Sequence, residues 1–105
     1  MTRLPWLALS LLLAASPAAS DPVSGSREQE LRNLLVQDCG SCHGLTMKGG
    51  LGPALKPVNL QGKSSAYLSS VILDGRPGTA MPPWRSLISP AEARWMAEQL
   101  LQEKL

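Results

Sequence analysis

The sequence predicts an all-α domain of three to four helices joined by long loops. Capping-box signatures, in which a Ser precedes a Gln or Glu by three residues, occur at Ser26 and Ser89. Apolar residues after these signals recur at helical spacing, and no segment shows the strict alternation of a half-buried strand. Most of the nine Gly and nine Pro fall in the two stretches between the helical segments, residues 44–63 and 75–87.

The N-terminal segment has the composition of a secretory signal peptide. Arg3 precedes an apolar stretch over residues 4–15, and small residues precede Asp21. This stretch is shorter than the roughly 20 apolar residues that a membrane-spanning helix requires. We therefore expect residues 1–20 to be removed and residues 21–105 to form the working domain, outside the cytoplasm and without stable membrane insertion.

Composition argues for a small core and against a nucleic-acid partner. The chain contains three Trp, one Tyr and no Phe, so large apolar side chains are scarce. Domains this small usually need a disulfide, a metal or another staple to fold. A net charge of +2, with signs alternating along the chain, provides no basic stripe for nucleic acid.

The first helix is expected to begin at Ser26 and to run to a pair of cysteines. Its apolar residues continue in register to both thiols: Leu31, Leu34, Leu35, Cys39 and Cys42. Residues 44–63 then contain many Gly and Pro and neither periodicity, which predicts a loop. Loops of this length in a compact domain are usually functional.

Two further helices follow. Residues 65–74 carry an apolar stripe, with Ser64 or Ser65 as N-cap and Gly75 as a left-handed C-cap. Prolines then exclude regular structure over residues 76–87. The last helix starts after Ser89, and its expected buried stripe is Ala93, Met96, Ala97, Leu100 and Leu101.

The segment Cys39-Gly40-Ser41-Cys42-His43 has the spacing for covalent attachment of a c-type haem. Two sulfurs three residues apart can reach the vinyl groups on one edge of the ring, and the next residue places an imidazole beneath the iron. A haem would also supply missing apolar area, at roughly 25 cal/mol per Å² buried. We expect one covalent haem c per chain, covered by Leu34, Leu35, Leu55, Leu68 and Ile72.

Other uses of these cysteines fit less well. A structural zinc site usually has four protein ligands, and no further Cys or His remains. A thioredoxin-type dithiol belongs in a βαβ setting, which this sequence lacks. A plain disulfide is usual in an oxidising compartment, but the spacing of the two cysteines favours haem attachment.

The second axial ligand separates an electron carrier from a haem that binds gas or peroxide. His43 is the only His, so the remaining candidates after residue 20 are Met47, Met81 and Met96. Met47 is too near His43 to reach the opposite face easily, and Met96 fits the last helix's buried stripe. The sequence favours Met81, which precedes two prolines, and its thioether would raise the reduction potential.

A haem-ligating His usually donates its other ring N–H to a fixed acceptor. Gly52-Pro53 is the candidate, since a proline stiffens the local chain and offers a carbonyl without a competing N–H.

These motifs together resemble the class I cytochromes c over the whole chain after the leader. The resemblance implies that Pro53 gives its carbonyl to His43 and that Met81 is the sixth ligand. The chain departs from the family where the first and last helices cross. Leu31, Leu35 and Gln99 stand there in place of a Gly and two aromatics, and Trp95 is the candidate to supply a ring.

Three segments are similar to the small cytochromes c55X, or NirC-type proteins, of denitrification gene clusters: QDCGSCHGLT at 37–46, KGGLGP at 48–53 and DGRPGTAMPPW at 74–84. This similarity implies a monomeric periplasmic electron carrier, not an enzyme. Its implied redox partners are cytochrome cd1 nitrite reductase or a dehydrogenase of haem d1 formation.

The alternative is a haem enzyme or gas-binding module in which Met81 is displaceable. Nothing in the sequence offers an acid or base for chemistry at an open iron. For a carrier, we expect weak, salt-sensitive docking through some of the loop cations. These are Lys48, Lys56, Lys63, Arg76 and Arg85, and simple solubilising charges are an equally open interpretation.

Overall fold

The computed structural model describes residues 2–3, 12–14 and 23–105. Its helices are α1 (Gly25–Leu34), α2 (Gly40–His43), α3 (Ser65–Asp74) and α4 (Pro90–Gln102), with a π-helical turn at Leu35–Cys39 and a 3-10 turn at Pro57–Leu60. These ranges contain no strand, and the all-α prediction is confirmed.

The expected signal peptide, residues 1–20, lies outside the described residues except at positions 2–3 and 12–14, and it stays a prediction. Within the ranges that the structure describes, no helix has both the length and the apolar character needed to cross a bilayer.

α1 begins earlier than the sequence pattern indicated. Ser24, not Ser26, is the N-cap, and its hydroxyl accepts the Arg27 N–H at 3.4 Å. The predicted capping box at Ser26 does not form, because the Gln29 side chain donates to Asn33 at 3.4 Å. Arg27, in the first turn, forms ion pairs with Glu30 and Glu92.

The chain runs from α1 into α2 without leaving a helical path. Between them lies the π-helical turn, which the Gly40 N–H closes by donating to the Leu35 carbonyl. Such turns are rare and occur often at functional sites. This turn places Cys39 directly before α2. Leu31, in α1, and Leu35, at the start of the turn, are fully buried and fix this part of the chain against the core.

α3 has the predicted bounds, with Ser64 as its N-cap. Its C-cap differs in detail from the expectation. Gly75 has φ 67° and ψ −167°, which is not the left-handed helical conformation but a mirror-extended one that is essentially restricted to glycine. The chain therefore leaves α3 at a sharp angle that a side chain at position 75 would oppose.

α4 carries the predicted capping box, in which Ser89 and Glu92 satisfy each other's backbone N–H. It packs against α3, and its buried stripe includes the polar Gln99. The shared core combines residues of all three long helices with loop residues: Leu31, Leu35, Met47, Leu60, Leu68, Ile72, Leu73, Ile88, Ala93, Met96, Ala97 and Leu100.

The first and last helices cross through polar contacts as well as leucines. The Arg32 guanidinium lies 5.1 Å from the centroid of the Trp95 ring and donates to the Gln99 side chain at 3.2 Å. Cation–π contact of this kind is favourable at partly exposed sites. Trp95 thus brings an aromatic ring of α4 against Arg32 of α1.

Glu92 links the α4 cap to α1, which makes its charge testable. The Arg27 hydrogen bond and the Ser89 backbone hold the pKa of Glu92 below its ordinary value of 4.5. A lowered pKa contributes stability that is present above pH 4.5 and lost as pH falls through the lowered value.

We expect Glu92→Gln, which can keep the capping hydrogen bond, to destabilise the protein modestly at pH 7 because solvent screens the lost ion pair. Urea unfolding at pH 7 and at stepwise lower pH checks this. The difference in unfolding free energy between the variant and the unsubstituted protein should shrink as pH falls. A difference that stays constant with pH would contradict a stabilising charge on Glu92.

Candidate haem site

The two cysteines occupy different environments on one helical path. Cys39 is mostly buried and Cys42 is exposed, and neither is in a disulfide. Burial, with the nearby Asp38 carboxylate, raises the pKa of the Cys39 thiol to about 11. These surroundings disfavour a charged thiolate and suit an uncharged thioether sulfur.

His43 is oriented by the loop that follows it. Its Nδ1 lies 2.7 Å from the Pro53 carbonyl oxygen. A carbonyl can only accept, so Nδ1 carries the proton and donates it, and Nε2 is left with the free lone pair. This is the geometry in which an imidazole binds a metal through Nε2.

The loop comes close enough to His43 that glycine is required beside the ring. A Cβ built on Gly52 would lie 2.9 Å from Cε1 and from Nδ1 of His43. Backbone hydrogen bonds close the loop onto the helix end: Gly52 N–H donates to the Cys42 carbonyl and Gly49 N–H to the His43 carbonyl, both at 2.8 Å. The segment thus fixes the plane of the imidazole.

Met81 lies in the proline-flanked loop between α3 and α4 and is half-buried. Its N–H donates to the Thr79 hydroxyl at 3.3 Å, and that hydroxyl donates to the Arg76 carbonyl at 2.6 Å. The Met81 carbonyl accepts from the Arg76 N–H at 3.2 Å. These bonds hold the backbone of Met81 in one path.

The other two methionines within residues 23–105 have a different environment. Met47 is 2% exposed and Met96 is 0% exposed, and both belong to the hydrophobic core. Each is accounted for by packing, which leaves Met81 as the thioether outside the core.

The apolar residues expected to cover a haem divide into two groups. Leu35, Leu68 and Ile72 are buried in the core, whereas Leu34 and Leu55 are partly buried at its edge. Trp84, which the sequence did not place among them, is also partly buried there. The feature of the sequence that could have identified Trp84 is its position three residues after Met81, in the same proline-rich loop.

The residues present fit a covalently attached haem. Two thiols three residues apart precede an imidazole whose Nε2 is free, and Gly52 leaves room beside the ring that a Cβ would fill. Imidazole with thioether is a ligand pair that haem iron takes in cytochromes. Cys39 and Cys42 would carry the covalent links to the haem, and His43 and Met81 would be its axial ligands.

The predicted docking cations are not equivalent. Lys56 pairs with Glu103 at 2.8 Å, and Arg85 pairs with Asp74 at 2.8 Å. Lys48, Lys63 and Arg76 form no ion pair with any described residue. Of the five predicted docking cations, these three therefore have no carboxylate partner among the described residues, a distinction that the sequence could not make.

Comparisons with known proteins agree with this arrangement. The family described as cytochrome c oxidase, cbb3-type, subunit III, matches residues 26–99. Cytochrome c55X of Paracoccus denitrificans is 53% identical over 96 residues, which are 91% of this chain and 93% of that protein.

Two solved structures are also similar. A c-type cytochrome NirC has a TM-score of 0.75 at 49% identity and covers 77% of this chain and 95% of its own. Dihydro-haem d1 dehydrogenase NirN in complex with DHE has a TM-score of 0.63 at 37% identity, and the match covers 68% of this chain but 15% of that one. The fold is that of a class I cytochrome c. The chain therefore belongs to the cytochrome c family matched over residues 26–99 and, within it, to the cytochromes c55X.

Proposed function

We propose that this protein is a periplasmic one-electron carrier of denitrification, with one haem c attached through Cys39 and Cys42 and ligated by His43 and Met81. The observation that carries the proposal is the hydrogen bond from His43 Nδ1 to the Pro53 carbonyl, at 2.7 Å, directly after the cysteine pair. Pro53 then holds the imidazole in one tautomer and one plane, with Nε2 directed at the iron.

A haem iron held between imidazole and thioether exchanges single electrons between its ferric and ferrous states. The chain's own part is to keep both ligands in place in both states, because little movement means fast transfer. The Gly52 contact restrains His43 on one side. Thr79 and Arg76 restrain the backbone of Met81, the second proposed ligand.

The same features argue against the gas-binding or enzymatic alternative. An enzyme needs an open iron position and groups that move protons beside it. His43 is the only His in the chain and is already oriented by Pro53. Met81 lies in a loop closed by its own hydrogen bonds, which opposes displacement of the thioether.

The partner that we favour is the enzyme of haem d1 formation. The similarity to part of a dihydro-haem d1 dehydrogenase supports this, since that enzyme contains a domain of this fold. A dehydrogenase removes two hydrogens, which leave as two electrons and two protons. One haem takes one electron at a time, so two oxidised carriers, or two visits by one, are needed for each substrate oxidised.

Cytochrome cd1 nitrite reductase would use the carrier in the opposite direction. The experiment therefore uses stopped-flow spectroscopy in two arms. Oxidised protein is mixed with the dehydrogenase and its dihydro-haem d1 substrate, and reduced protein is mixed with nitrite reductase and nitrite.

We expect rapid reduction in the first arm, slowed by added salt because Lys48, Lys63 and Arg76 form no ion pair with a described residue and are free to bind a partner's carboxylates. The control arm omits dihydro-haem d1, so that no electrons are available. If electron transfer in both arms is no faster than in the controls, the proposed carrier role is wrong. If the protein transfers electrons only to nitrite reductase, its role is in respiration and not in haem d1 formation.

A further inference from the structure

The chain after Met81 folds back onto the C-terminal end of α3. The Trp84 N–H donates to the carbonyls of Ile72 and Leu73, both at 3.1 Å, and the Arg85 N–H also donates to Leu73 at 3.1 Å. The last carbonyls of a helix have no partners within it. Here the returning loop satisfies them, so the end of α3 and the Met81 loop form one hydrogen-bonded unit.

A surface ion pair closes the same unit. Arg85 binds Asp74, the last residue of α3, through two hydrogen bonds, from Nε at 2.8 Å and from Nη2 at 2.9 Å. This two-point geometry is the most directional that an Arg and a carboxylate can make.

Gly75 lies at the centre of this unit, and it is buried. A Cβ built on it would lie 2.7 Å from the Met81 carbonyl oxygen, 2.8 Å from the Pro82 carbonyl carbon and 2.9 Å from the Pro83 nitrogen. These are backbone atoms, which cannot swing aside as a flexible side chain does. The Met81 backbone thus lies directly on Gly75, at a distance that only glycine permits.

We propose that the C-terminal end of α3, centred on Gly75, is a positioning device that sets how firmly the Met81 thioether is held on the iron. The inference rests on the proposed function, in which Met81 is the sixth ligand. Ile72 and Leu73 are core residues, so the end of α3 is a fixed base. Ligating groups must be held to within about 0.5 Å, and a Cβ on Gly75 would move the Met81 backbone by a comparable amount.

The chain provides a matched control for Gly75. Gly78 lies in the same loop and also has a positive φ, 80°, but a Cβ on it would meet nothing within 4 Å. Alanine at position 75 or 78 therefore adds backbone strain in both variants, and adds contact with Met81 only at position 75.

The test compares Gly75→Ala and Gly78→Ala as holoproteins. We expect Gly75→Ala to weaken the long-wavelength ferric band of thioether-ligated haem, to lower the reduction potential and to accelerate carbon monoxide binding to the ferrous form. If the population of iron without its thioether rises from about 1% to about 10%, binding accelerates about tenfold. Gly78→Ala should leave band and potential unchanged, and equal effects of the two substitutions would overturn the proposal.

A second pair of variants applies if Gly75→Ala accumulates no holoprotein. Arg85→Gln loosens the same unit from the exposed surface, where folding is little affected, and we expect a smaller loss of the ferric band. Lys56→Gln, which breaks an exposed ion pair elsewhere, is its control. An Arg85→Gln spectrum identical to that of Lys56→Gln would then overturn the proposal.

Met81→Ala separates this inference from the proposed function. If Met81→Ala leaves the band and the potential unchanged, Met81 is not the ligand and the proposed ligation fails. If Met81→Ala removes the band but Gly75→Ala behaves like Gly78→Ala, only the positioning role fails.

Discussion

Replacing both cysteines (C39A/C42A) is expected to yield a secreted chain that carries no covalent haem and is largely unfolded. Two features of the structure lead to this expectation. Within residues 23–105 the core has twelve buried apolar residues, none of them aromatic, and long segments with little regular structure separate α2 from α3 and α3 from α4. Ordering each residue of such segments costs about 1 to 2 kcal/mol of conformational entropy, which this core is too small to offset alone.

The measurements are intact mass and far-ultraviolet circular dichroism of protein secreted from a host that can attach haem c. The unsubstituted chain should exceed its polypeptide mass by one haem, and the double variant should equal it and lose most of its helical signal. Ser41→Ala is the control, since it lies between the two thiols and is exposed. If the C39A/C42A chain retained full helical content, the protein would not need haem to complete its hydrophobic core, and the expectation would be wrong.

Much of the fold could be predicted from local capping residues and apolar spacing in the sequence. Ser89 with Glu92, and Ser64 before the apolar stripe of α3, cap their helices as predicted. Each of these signals acts within four residues, so no long-range contact is needed to interpret it. The predicted start of α1 was wrong by contrast, because Ser24 caps the helix through the Arg27 N–H and Gln29, the expected capping-box partner of Ser26, donates to Asn33 instead.

The site shows the same division. The cysteine pair and His43 are adjacent in sequence, so pattern and spacing identified them, whereas Pro53, ten residues later, was singled out by the resemblance to class I cytochromes c. The contacts that hold the Met81 loop could not be identified in either way. Gly75 could be recognised as the end of a helix, but its approach to the Met81 backbone depends on how the loop returns, which proline positions alone do not determine. The pairing of Arg85 with Asp74 is hidden for the same reason.

Met81→Ala is expected to open the iron while leaving the fold intact. Met81 is half-buried and outside the hydrophobic core, so its removal leaves no large cavity there. The loss of a soft thioether should lower the reduction potential, because that ligand favours ferrous iron. If the unsubstituted ferrous protein has its iron open about 1% of the time, carbon monoxide should bind the variant about 100-fold more tightly.

Potentiometric titration, the ferric spectrum and carbon monoxide binding check this expectation together. Met96→Leu is the matched control, because it replaces a fully buried methionine by a residue of similar volume and leaves Met81 in place. We expect Met96→Leu to alter unfolding only slightly and to keep the spectrum and potential of the unsubstituted protein. If Met96→Leu instead lost the ferric band while Met81→Ala kept it, the ligand would be on α4, and the Met81 loop would serve only to cap α3. Met96 is fully buried in the same core as Leu31, Leu35 and Leu100, so withdrawing its side chain to bind iron would leave a cavity among packed helices. This cost favours Met81 as the ligand.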